Sequence, residues 1–160
     1  INVEVRSPTF GRTIHPAPPG QISFKGKTIN LITGKNPFRE LESKEPGKFR
    51  EHVEAGRKVY FQNCFYCHGD DLAGDGMFAH GLSPTPANLN SATTIGMLQE
   101  SFLFWRIAKG GPGLPEESGP WSSSMPAWEK FLSEDDIWNV ILYLYDYTGY
   151  KPRAEEEGHG

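Results

Sequence analysis

Long apolar runs are missing from this chain of 160 residues, and no segment reads as a helix able to cross a bilayer. Cysteine is scarce: Cys64 and Cys67 are the only two. A closed zinc site needs a full tetrahedral ligand set, and the histidines offer no His-x3–5-His spacing to complete one. A thioredoxin-like dithiol sits in a βαβ setting, and no strand-like run leads into Cys64. Positive charge is in deficit, with 16 Lys and Arg against 20 Asp and Glu and a net charge of −4. That balance argues against a broad nucleic-acid surface, and no nucleic-acid partner is expected. Hydrophobic content is modest at 37 %, while aromatic content reaches 12 %. Such a composition suits a small domain whose aromatic side chains wrap a flat apolar group that itself fills part of the core.

Proline and glycine are plentiful, at 13 and 18 residues, and their placement divides the chain. Residues 1–49 hold Pro8, Pro16, Pro18, Pro19, Pro37 and Pro46 and read as a mostly irregular arm. Within it, 21–24 and 28–32 alternate apolar and polar residues around Lys25-Gly26-Lys27, which suggests a short hairpin. From about Phe49, Val53, Gly56, Val59 and Tyr60 recur at helical spacing. Gly56 is costly inside a helix, and close approach of a second helix would explain it. A further helix is expected from about Ile95 to Lys109, ended by Gly110-Gly111-Pro112. The last helix carries the clearest signals: Ser133 as N-cap, Asp136 completing a capping-box variant, Leu132 and Ile137 as a staple, and Gly149 at its end. Residues 50–150 thus form one helical domain and 151–160 a polar tail. The stretch 69–93 reads as loop, and there is no internal repeat.

The chemistry-bearing motif is Cys64-Phe65-Tyr66-Cys67-His68. Cys-x-x-Cys-His is the covalent attachment site for a c-type haem. The two thiolates would add to the haem vinyl groups, and His68 would bind the iron from the proximal side. Attachment of this kind is generally made outside the cytoplasm. The first residue is Ile1 rather than Met, so the expectation is an exported, periplasm-like location with a signal peptide or membrane anchor already removed.

In the order of its motifs the chain resembles the class I c-type cytochromes, over roughly residues 50–149. The likeness rests on the helix with Gly56 and Tyr60, the haem motif at 64–68, Met125-Pro126, and an aromatic-bearing final helix. It implies an all-α, cytochrome c-like fold around one covalently bound haem c, with the first and last helices crossing at a glycine and an aromatic. Tyr143 is the candidate aromatic of the last helix, with Trp138 the alternative. His68-Gly69, then Gly74-Asp75-Gly76, Leu82, Pro84, Pro86 and Leu89, is similar to a common bacterial subgroup. Many of its members carry proline where this chain has Met77, with a carbonyl that accepts the proximal imidazole's hydrogen bond. The resemblance places the distal ligand at Met125, whose neutral thioether favours ferrous iron and raises the reduction potential. Met77, Met97 and His80 are the competing ligands, while His15, His52 and His159 read as ordinary surface or arm residues. Phe65, Tyr66, Phe102, Trp105 and Trp128 are expected around the porphyrin, and Arg106 and Lys109 beside its propionates.

The resulting reading is a one-electron carrier between respiratory redox proteins, with no residue needed for acid–base or nucleophilic chemistry and hence no enzyme activity of its own. A second reading makes the chain a haem c subunit fixed in a larger membrane oxidoreductase complex, with residues 1–49 as docking arm. A third, a haem peroxidase or gas sensor, requires a labile distal ligand.

Overall fold

The computed structural model describes residues 2–7, 11–16, 19–69, 72–74, 76, 89–90, 95, 98–110 and 125–153. Two antiparallel hairpins come first: β1 (Asn2–Ser7) with β2 (Gly11–Pro16), and β3 (Gln21–Phe24) with β4 (Lys27–Asn30). Helices α1 (Leu41–Lys44), α2 (Pro46–Val59), α3 (Phe65–His68), α4 (Glu100–Lys109) and α5 (Glu134–Thr148) follow. A π-helical turn at Tyr60–Cys64 joins α2 to α3, and a 3-10 turn at Trp128–Lys130 precedes α5. Among the described residues, no helix is long and apolar enough to cross a membrane.

The hairpin expected at 21–32 is present. Lys25 and Gly26 both take positive φ, at 49° and 82°, the twist that a two-residue turn between antiparallel strands requires. Strand β4 stops at Asn30, two residues before the expected end, because the Asn30 side chain accepts hydrogen bonds from the Ile32 and Thr33 amides at 2.8 and 3.0 Å and turns the backbone there. The first hairpin is an addition to the irregular arm read from the prolines. Pro16 ends its second strand, a position where a missing amide costs the ladder little.

Helix α2 begins with Pro46, which suits a first turn whose amides lack intrahelical partners. Its buried residues are Phe49, Val53, Gly56 and Val59, a single stripe at helical spacing. The stripe lies on α5. At the crossing, a Cβ built on Gly56 would overlap the backbone carbonyl of Asn139, so only glycine lets the two backbones approach this closely. Helix α5 starts at the expected capping box, with the Asp136 amide 3.0 Å from Ser133 Oγ and the Ser133 amide 3.1 Å from the Asp136 carboxylate. It ends on Gly149 in the left-handed conformation. One apolar face was expected for α5, yet every residue from Ile137 to Tyr145 is buried. The helix is central: α2 and α4 both pack on it, which leaves its middle no solvent side.

Several contacts seat the arm on this helical core. Phe24 of β3 packs against Phe104 of α4 at 5.5 Å between ring centroids, and Phe104 against Trp138 of α5 at 4.3 Å. A buried polar cluster adds to them. Asn36 Nδ2 donates to Glu100 at 2.8 Å and to the Trp138 carbonyl at 3.1 Å. Arg39 bonds both carboxylate oxygens of Glu100, at 2.9 and 3.2 Å. Burial works against the Arg39 charge, but hydrogen bonds and charge from Glu100 and Glu42 outweigh it and raise its pKa. This cluster also explains why α4 begins at Glu100 and not near Ile95. Gln99 is extended, and the Leu98 carbonyl, instead of entering the helix, accepts from the Tyr145 hydroxyl at 2.7 Å and from the Arg153 amide at 3.2 Å.

Gly56→Ala is expected to lower stability by about 1–3 kcal/mol through overpacking at the α2–α5 crossing, read as a reduced urea midpoint at unchanged slope. Burial, with Glu100 adding to it, pushes the Tyr145 phenol above its ordinary value of 10.0. The unfolded chain therefore releases that proton near pH 10 while the folded state retains it, so stability falls as pH rises above about 10. Urea midpoints measured from neutral into alkaline pH should show the fall, and Tyr145→Phe should make it shallower.

Candidate functional site

Cys64, Cys67 and His68 sit at the C-terminal end of one continuous helical run that starts at Pro46. The run is not regular. In the π turn the Phe65 amide reaches back to the Tyr60 carbonyl, one residue further than in an α-helix, which shifts the facing of everything after it. Such turns recur at functional sites. Cys64 is a buried thiol and His68 is half-buried. The side chains of Tyr66 and Cys67 lie outside the described residues. The run ends at Gly69, whose φ of 81° and ψ of 172° turn the chain sharply away in a conformation that disfavours other residues.

Backbone around His68 is held from several directions. The Gly69 amide donates to the Phe65 carbonyl at 2.9 Å, and the Gly74 amide to the His68 carbonyl at 2.9 Å. The Tyr60 hydroxyl donates to the Gly69 carbonyl. Leu72 is wholly buried in the left-handed region, at φ 63°, and its carbonyl accepts the Leu89 amide at 2.7 Å and the Asn90 amide at 3.3 Å. The two ends of the loop expected after the motif are thereby tied together. Met77, His80, Leu82, Pro84, Pro86 and Met97 lie outside the described residues.

Met125 lies across the chain, in the segment just before the 3-10 turn. It is half-buried and packs on the main hydrophobic core, as do Phe65, Phe102 and Trp128. Gly110, at φ +56°, sets its place: a Cβ there would strike the carbonyls of Met125 and Pro126. The turn beyond is tethered by Lys109, 2.8 Å from the Glu129 carboxylate and also bonded to the Ser23 carbonyl. Lys109 is thus engaged by Glu129 and Ser23. Arg106 differs. It lies 5.6 Å over the Trp105 ring and donates to the Gly110 carbonyl at 3.2 Å. Burial lowers its pKa, and no carboxylate among the described residues pairs with it. Trp105 is core, edge-on to Phe102 at 5.4 Å.

An aromatic cluster backs the motif. Tyr60 contacts Phe61 at 5.4 Å and Tyr143 at 5.5 Å, and Phe61 contacts Phe65 at 5.5 Å. His52 corrects the surface reading made from sequence. It stacks on Phe38 at 3.9 Å, and its Nδ1 lies 2.9 Å from Asn139 Oδ1 beside the Gly56 crossing. The Tyr60–Gly69 bond and the Asn36–Arg39–Glu100 cluster carried no sequence signal, because their partners share no motif.

Residues 51–144 match the protein family described as "Cytochrome C oxidase, cbb3-type, subunit III". The chain is similar to the cbb3-type cytochrome c oxidase subunit FixP of Bradyrhizobium sp. (strain ORS 278), 28 % identical over 125 residues, which are 78 % of this chain and 37 % of that protein. It therefore spans little more than a third of that relative. Among solved structures it resembles a chain of the Kuenenia stuttgartiensis reducing HAO-like protein complex Kustc0457/Kustc0458, at a TM-score of 0.50 and 24 % identity over 61 % of this chain and 44 % of that one. This last likeness concerns the fold alone. With the family match spanning more than half of the chain, from the middle of α2 through the haem motif to α5, this protein belongs to the cbb3-type subunit III family of c-type cytochromes, whose haem c is covalently bound.

Proposed function

We propose that the chain is a monohaem one-electron carrier, with haem c joined to Cys64 and Cys67, His68 as proximal ligand and Met125 as distal ligand. The observation that carries this is the placement of the donors. A buried thiol and an imidazole stand at the end of one braced helix, and a thioether stands on a separate segment fixed against α4. Thiol, imidazole and thioether are the donor set such a group requires, and the residues present fit it. The bound haem supplies one-electron exchange at its iron. The chain's own residues hold the ligands still, so that little ligand motion accompanies a change of charge. Trp105, Phe102, Phe65 and Trp128 add apolar surface that excludes water, and an excluded, low-dielectric setting with a neutral distal ligand favours the reduced state. Arg106, half-buried and without a carboxylate among the described residues, is the cation best placed to pair with a propionate.

By itself such a chain is a carrier and not an enzyme; its donor and acceptor are redox proteins, and its place is the exported, periplasmic side. Residues 1–49 form an arm, 50–150 the haem domain and 151–160 a tail. A second reading, a haem subunit held in a larger oxidoreductase complex, is favoured by a specific observation: the FixP relative is an oxidase subunit in name, and this chain spans 37 % of it.

The oxidised protein is expected to show the weak far-red sulfur-to-iron charge-transfer band. Met125→Ala should abolish that band and lower the reduction potential; a band that survives the substitution would show that another residue supplies the sulfur, and no band in the wild type would move the reading toward bis-His or open coordination. Gly110→Ala, which drives a Cβ into the Met125–Pro126 backbone, should cost about 1–3 kcal/mol in urea unfolding and weaken the same band.

A further inference from the structure

We propose that Tyr60 is a positioning residue for His68: its hydroxyl, donating to the Gly69 carbonyl, sets the direction in which the imidazole leaves the helix. The inference rests on the ligation read above. An aromatic ring alone would fill the space between Phe61 and Tyr143 at the helix crossing, so the hydroxyl is surplus to packing there. Tyr60 is wholly buried, and a buried phenol needs a partner. So does the carbonyl of Gly69, which is itself buried. Each satisfies the other across nine positions of sequence.

The bond spans a stretch with its own irregularity. Tyr60 opens the π turn, and Gly69 is the first residue past the motif, so one hydrogen bond joins the two ends of the segment carrying Cys64, Cys67 and His68. On the far side the His68 carbonyl is held by the Gly74 amide at 2.9 Å. The two successive peptide groups that follow the His68 Cα are therefore both restrained, the first by Gly74 and the second by Tyr60. Interactions that orient a ligand tune the metal it holds, and Tyr60 performs that function through the backbone without touching the imidazole.

The test compares the holoprotein carrying Tyr60→Phe with wild type and with Tyr143→Phe, which removes a hydroxyl from the same aromatic cluster. Covalent haem is expected in all three. Tyr60→Phe should displace the reduction potential and the hyperfine-shifted His68 ring resonances, and should speed deuterium exchange at the Gly74 amide by about tenfold; Tyr143→Phe should change none of these. Wild-type behaviour in Tyr60→Phe, or equal displacement in both variants, overturns the proposal while leaving the ligation intact. A wild type with no shifted His68 resonances overturns the ligation and this proposal with it. If Tyr60→Phe yields no holoprotein, 3-fluorotyrosine at position 60 keeps the ring and makes the hydroxyl a stronger donor; moved His68 resonances support the assignment and unmoved ones overturn it.

Discussion

The contact of α2 with α5 at Gly56 is the constraint on which the rest of this structure depends. Two helix backbones meet there at a distance that excludes a single methyl group. Because the haem motif continues directly from α2, the crossing fixes the helix that presents Cys64 and His68 relative to the core helix. Tyr60 and Tyr143, one turn beyond Gly56 and Asn139, extend the same contact toward the motif. A change at the crossing would move the whole helical run and the motif with it, since packed helices shift as rigid bodies and interiors leave few voids to absorb the shift.

The arm is seated on the helical core by means that differ in kind from that crossing. Phe24, Phe104 and Trp138 form an apolar chain of rings, while Asn36, Arg39 and Glu100 form a buried charged cluster in which each polar group has a partner. A buried ion pair is weak support for net stability, but breaking one member leaves the other uncompensated. The cluster therefore specifies where the 33–40 segment lies more than it adds to stability. It also takes Glu100 as the start of α4, and so sets where that helix begins and, ten residues on, where Gly110 meets the Met125 segment.

Much of this was legible from the chain alone. Helix α5 was written in its capping box and terminal glycine, α2 in a stripe that included an otherwise costly Gly56, and the hairpin in the alternation of 21–24 and 28–32 around Lys25-Gly26-Lys27. These signals are local, and each depends on residues a few positions apart. Where the reading fell short, distant partners decided. Helix α4 is shorter than its apolar pattern because Leu98 serves Tyr145 and Arg153. His52 is packed because Phe38 and Asn139 come to it from elsewhere in the chain.

The sequence by itself pointed to the haem c family and the helical fold, because Cys-x-x-Cys-His lies within five consecutive residues and helix signals act within a turn or two. Only the tertiary structure decided how the segments carrying these residues are held: the π turn at Tyr60–Cys64, the Tyr60 bond to Gly69, the hold of Gly74 on the His68 carbonyl and the seat of the Met125 segment against Gly110. Each of these joins residues that folding alone brings together, through buried polar groups that must find partners and backbones that approach only where a side chain is missing.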